Sequence, residues 1–268
     1  MLSLFAITWL AAQIEVYSEF RRIGPNGEIV APDQGGTVRE MLSPAVARGG
    51  HASFHLVIKA PAGSGYTLYV GQNPEGHGHL TLYRELYTDG LPDRLQLVKT
   101  GFAGPHTAVM PDNQTADVYW MDIEYPPTVA VERVKVEPQL WAGSHWIVYP
   151  MEIRLTEARL KSLPADRDPG VALNARVESA ALLALREKLC GTVPAKPTPG
   201  EPTVRRLVYR NARELLSLPT TVLPEPAAFC KGEPALPIEG FVRLRNQILQ
   251  GKPQSSQSKP WAQQNEVK

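Results

Sequence analysis

From Glu15 to about Leu155, apolar and polar positions alternate with period two, and turn residues break the alternation every eight to twelve residues or so, the signature of antiparallel strands. Ala52, Phe54, Leu56 and Ile58 fall on one face, and His51, Ser53, His55 and Lys59 on the other. Tyr66, Leu68 and Val70 repeat the pattern after the turn Ala62-Gly63-Ser64-Gly65. Leu80, Leu82 and Leu86 alternate with Thr81, Tyr83, Glu85 and Tyr87, and a further strand runs from Ala116 to Tyr125, stopped by Pro126-Pro127. A last pair, Val129 to Val136 and Trp146 to Leu155, reads as a hairpin around Ala142-Gly143-Ser144. One-sided strands must bury their apolar faces against each other, so the pattern predicts an immunoglobulin-like antiparallel β-sandwich over residues 13–155, in a mainly β protein.

After residue 155 the pattern changes to a helical, proline-rich extension reaching residue 250. Asp168-Pro169 offers an N-cap and a first-turn proline, and Gly191 a C-terminal stop, which predicts a helix with Leu173, Val177, Ala181 and Leu185 on one stripe. Pro194, Pro197, Pro199 and Pro202 enforce an extended connection. A second helix is predicted over Thr203 to Leu216, with Val204, Leu207, Val208, Asn211 and Leu215 inward and Arg205, Arg206, Arg210 and Arg213 mostly outward. Ile238 to Gln250 reads as a third helix, weakened by Gly240, and residues 251–268 as a disordered Gln-, Ser- and Lys-rich tail.

Charge adds a compartment and a possible docking force. The net charge is +1, which excludes a wholesale polyanion binder and so argues against a nucleic-acid partner. It is unevenly divided: residues 156–268 hold 17 Lys or Arg against 11 Asp or Glu, a net of +6, leaving the first 155 residues at −5. Opposite signs favour docking of the two halves, the alternative being that the basic half meets an anionic surface such as lipid headgroups or cell-wall polymer. Residues 1–12 carry no charged side chain and end in Leu10-Ala11-Ala12, which reads as a short signal peptide cleaved after Ala12, against a buried amino-terminal strand. Secretion, or a bacterial periplasm, is the compartment expected. No apolar run approaches the roughly 20 residues of a membrane span. Cys190 and Cys230 are the two cysteines, and in an exported chain they predict one disulfide, contributing about 4 kcal/mol on the chain-entropy account.

Three segments carry a resemblance: "TVREMLSPAVARGGHASFHLVIKAP", "TDGLPDRLQLV" and "TADVYWMDIEYPPTVAVERVKVEP". In this order, over about residues 37–155, they resemble the noncatalytic β-sandwich that precedes the catalytic barrel in glycoside hydrolase family 123 and related bacterial secreted proteins. The pieces concerned are Arg48 to Ile58, Gly90 to Asp93 and Tyr119 to Pro126. The residues beyond 155 are too few for a barrel of about 250 residues, so no catalytic residue carries over. The resemblance implies an accessory sandwich, with glycan contact as the property to test.

Candidate chemistry follows from side-chain grouping. All six histidines lie between His51 and His145, with His77-Gly78-His79 in a glycine-rich turn and His51 and His55 on one strand face; without a third ligand at metal spacing they read as surface histidines. Asp122 and Glu124 share a strand face with Trp120, which fits either an acid and base on a sugar or an ordinary solvent-facing strand. No G-x-S-x-G, P-loop or dinucleotide fingerprint occurs, so no cofactor is expected. Planar aromatics stack on sugar rings and on peptides, which makes Trp141, Trp146, Tyr149, Trp120 and Tyr119 the candidate ligand-binding residues, with core packing as the competing role. The sequence thus points to an exported noncatalytic binding or accessory protein of the cell envelope, with carbohydrate as the first ligand class. A structural protein engaging a protein partner is the second reading and a divergent glycosidase the third.

Overall fold

The computed structural model describes residues 12–34, 44–101, 105–160, 167–191, 200–218 and 230. Strands β1 (Gln13–Ser18), β3 (His51–Lys59), β5 (His79–Thr88), β6 (Leu91–Thr100) and β8 (Ala116–Glu124) form one sheet in the order β1-β3-β8-β5-β6. Strands β2 (Ala45–Arg48), β4 (Gly65–Asn73), β7 (His106–Val109), β9 (Arg133–Ala142) and β11 (Met151–Arg159) form the other in the order β2-β11-β9-β4-β7, with β10 (His145–Val148) beside β9. Every pairing is antiparallel except that of β2 with β11. Alternate residues of the two sheets meet in one core, in which Phe54, Leu56 and Ile58 of β3 and Met121 and Ile123 of β8 face Leu68, Val70, Val134, Val136 and Leu140. The fold is an immunoglobulin-like β-sandwich followed by helices, as the alternation predicts.

The hairpin at Gly143-Ser144 forms, but its strands differ from the expected ones. β9 starts at Arg133 and continues to Ala142, and β10 ends at Val148. After Pro150 the chain resumes as β11 on the same flank of β9, pairing Met151 with Val136 where Val148 pairs with Gln139. Proline at 150 supplies no N–H to a ladder, which accounts for the break.

The outer face of the five-stranded sheet is the larger departure. All of β3 except Lys59 and all of β8 except Glu124 are buried, so both faces of these central strands are covered. The cover is a pair of packed helices, α1 (Glu178–Cys190) and α2 (Val204–Ser217), together with the turn from Ile23 to Ile29, which lies over Val57, Ala116 and Val118. The apolar sides of the helices enclose Trp120 and Leu95 in a second core with Ala180, Ala181, Ala184, Leu185, Val204, Leu207, Val208 and Leu215. α2 begins where the sequence placed it: the Thr203 side chain accepts from the Arg206 N–H at 3.2 Å. α1 begins ten residues after Asp168. That carboxylate accepts instead from the Gly170 N–H at 2.9 Å, and Gly170 has φ +64°, so the chain turns away before any helix starts. Its end is as expected, since Gly191 is left-handed at φ +68° and its N–H donates to Glu187 O. Cys190 is bonded to Cys230. The signal segment up to Ala11, the third helix and the tail lie outside the described residues.

Candidate binding face on the six-stranded sheet

Register and period two assemble an outward-facing row across four strands. Thr107 of β7 pairs with Thr67 of β4, Thr67 with Trp141 of β9, and Trp141 with Trp146 of β10. Their neighbours Tyr66, Leu68, Leu140 and Ala142 point into the sandwich core, which sends this row to solvent. The next row is Tyr69, Gln139 and Val148. A Cβ added to Gly71 would meet both Gln139 Nε2 and Tyr69 Cε1 at 3.4 Å, so the amide and the phenol ring both lie over that glycine.

The face is unusually apolar for a surface. Among the described residues the large exposed hydrophobic side chains are Leu97, Val109, Trp141, Trp146 and Val148, and all but Leu97 belong to this face. Trp141 is 37% exposed and Trp146 47%. The two indoles touch, with ring centroids 5.4 Å apart and planes inclined by 52°. Charge begins further along the sheet, at Glu137 and then Lys135, Glu152, Arg133 and Arg154, where Arg133 pairs with Glu152 at 3.2 Å.

The other candidate residues are placed elsewhere. Tyr149 is half-buried against the sandwich core, and burial together with the charge of Glu15 pushes its phenol up. Trp120 and Tyr119 are fully buried, which corrects their assignment to a binding face. Trp120 lies under the helices, edge-on to His55 at 4.9 Å. Tyr119 faces the inter-sheet core, where its hydroxyl lies 2.6 Å from that of Tyr66; Tyr66 donates to the Asp117 carboxylate at 2.7 Å, Tyr119 shares its proton between the Tyr66 oxygen and the same carboxylate at 3.2 Å, and Asp117 also accepts from Arg84 at 2.9 Å. Burial, followed by the neighbouring phenol and Asp117, pushes the Tyr66 hydroxyl far up, so it remains a donor. The physical reason for both corrections is the central position of β8, which leaves neither face free.

Polar residues of the covered face form an interface and not a catalytic pair. Asp122 accepts from Ser53 Oγ at 2.5 Å and from Arg210 at 2.7 and 3.0 Å. Burial would raise its pKa, but the Arg210 charge, His51 and these hydrogen bonds outweigh that cost and hold it below the ordinary carboxylate range. Arg210, expected to point outward, is therefore the partner of a buried carboxylate. Glu124, two residues on at the end of β8, is half-buried. His51 meets Glu214 at 2.8 Å and His55 meets Glu85 at 2.5 Å, so these two are buried histidines and not surface ones. Asn211 donates to Ser53 and to Glu19. Ser53 gives its proton to Asp122, so it forms no nucleophile and base pair with His51. Among the described residues no group of three or more His, Cys, Asp or Glu is arranged to hold a metal ion.

No known family model matches the chain, and no curated protein matches it significantly. Several solved structures are similar at low identity. A family 123 glycoside hydrolase from Clostridium perfringens, described in work on glycolipid glycan hydrolysis, is 9% identical over 58% of this chain, with a TM-score of 0.38. This chain spans 29% of that hydrolase. The N-terminal domain of PorA is 9% identical over 53% of this chain and 97% of its own, with a TM-score of 0.32. A PapD-like domain of human CEP192 is 7th in its own protein's series and is 9% identical over 55% of this chain and 87% of its own, with a TM-score of 0.25.

Proposed function

We propose that this chain is an exported, noncatalytic binding module of the cell envelope and that its ligand is carbohydrate. The observation that carries the reading is the exposed Trp141–Trp146 pair on an otherwise uncharged stretch of sheet. An indole face is apolar, flat and stiff, and it matches the face of a pyranose that displays C–H groups. Thr67, Thr107, Tyr69 and Gln139 lie on the Trp141 side of the pair and bring hydroxyl and amide groups of the kind that bind sugar hydroxyls, with Thr67 and Thr107 bonded to each other at 3.1 Å. The Cys190–Cys230 disulfide supports an oxidising compartment, as does the apolar stretch at residues 1–12. Among the described residues no helix is long and apolar enough to cross a membrane.

The test is retention of the purified chain on a panel of polysaccharides and peptidoglycan at low and high salt, beside a Trp141→Ala/Trp146→Ala variant. Retention of the wild type that survives salt and falls about tenfold or more in the variant is expected. Retention equal in both proteins, or abolished by salt, would remove the tryptophan face as the carbohydrate site and move the assignment to a protein partner.

A further inference from the structure

We propose, resting on the glycan reading above, that the site takes one uncharged pyranose ring at a time, a single or terminal sugar of a soluble glycan, and not the flat surface of a packed polymer. Trp146 is the stacking ring and Trp141 its backing. The argument is geometric. A polymer surface is flat, and holding it needs several aromatic rings in one plane, spaced along the chain. Here the two indoles stand on directly opposed residues of adjacent strands, 5.4 Å apart and inclined by 52°. Rings at that angle cannot both lie against one flat surface, and at that spacing they occupy each other's faces instead of two successive sugars.

The choice of Trp146 follows from exposure and position. It is 47% exposed against 37% for Trp141, and it sits on β10, which pairs with β9, while Trp141 is flanked by Trp146 on one side and Thr67 on the other. One flank of Trp146 is thus supported by an indole, and about half of the residue faces solvent. Gln139 stands in the next row, and its amide reaches over Gly71 of β4, on the side of β9 away from Trp146. The first ionised side chain along this face of β9 is Glu137, beyond Gln139. Among the described residues the outward rows around the pair carry no ionised side chain, which favours a neutral sugar.

The full chain, titrated by calorimetry and tryptophan emission, tests this. The probes are methyl glycosides of glucose, galactose, mannose and N-acetylglucosamine, the di- to hexasaccharides of β-1,4-glucan and chitin, and crystalline cellulose and chitin in parallel. At least one soluble probe binds, with affinity constant to within about threefold from the shortest binding sugar to the hexasaccharide. Trp146→Ala weakens it about tenfold or more, while Trp146→Phe retains most of it and reports that the fold is intact. Affinity that climbs steadily with chain length, or retention on crystalline polymer that Trp146→Ala abolishes, would overturn the single-ring site and leave the glycan reading standing. Failure of every soluble and crystalline probe to bind would overturn both.

Discussion

Gly27 shows how single positions hold this fold. It lies in the turn joining Ile23 to its bridge partner Ile29, donates its N–H to Gly24 O at 2.9 Å and has φ +77°. That backbone region is costly for any residue with a Cβ. A Cβ here would also meet the fully buried Val57 at 2.6 Å and Ala116 at 3.2 Å. Strain and overpacking act together, so Gly27→Ala lowers unfolding stability by about 2 to 4 kcal/mol. Urea denaturation measures it, and a loss below about 0.5 kcal/mol would show that the turn relaxes freely. The tryptophans belong to the same scale with opposite logic. Their side chains keep a large exposed area at the end of a hairpin, where burial is incomplete and ligand contact has room.

At the scale of elements, the sandwich was legible because its strands are one-sided. Phe54, Leu56 and Ile58 announce a buried face by alternation alone, and α2 announces itself by Thr203 and an apolar stripe. What alternation does not distinguish is a polar face in water from a polar face buried under complementary polar groups. His51, Ser53 and Asp122 look the same in either case. The residues that decide it, Arg210, Asn211 and Glu214, lie 88 to 163 positions further along the chain. The proposed α1 start failed for a similar reason, since a capping aspartate also closes a turn, and Gly170 selects the turn.

That polar interface has a pH dependence whose sign follows from Asp122. Its folded pKa lies below the ordinary value of 3.8. Its stabilising effect is therefore complete above 3.8 and is lost as pH falls through the lower folded value. Asp122→Asn leaves Arg210 without its principal anion and costs about 3 to 5 kcal/mol at neutral pH. Urea midpoints at neutral pH and near pH 3 check both statements: the wild type loses stability on acidification, and the variant begins lower and loses less. Equal losses in the two proteins would show that Asp122 is not the titrating contact.

The whole molecule has three layers, with the five-stranded sheet in the middle. One face of that sheet packs on the six-stranded sheet and the other under α1, α2 and the turn from Ile23 to Ile29, while a disulfide ties the end of α1 to Cys230. The opposite charges of the two halves of the chain meet in this arrangement, in Arg210 with Asp122 and Arg205 with Asp93. The layers also explain which of the candidate aromatics face solvent. The middle sheet encloses Trp120 and Tyr119, whereas the outer face of the six-stranded sheet carries Trp141 and Trp146. Only the position of each strand within the assembled layers separates these pairs, and that position is not a local property of the sequence.

The most direct measurement is amide chemical-shift mapping of the isotopically labelled chain during titration with the soluble sugar that binds it best. The account predicts saturable shifts confined to the rows around Thr67, Tyr69, Gln139, Trp141 and Trp146, with the α2 interface unmoved. Shifts centred on His51, Asn211 and Glu214, or none at a sugar concentration that saturates binding, would contradict it.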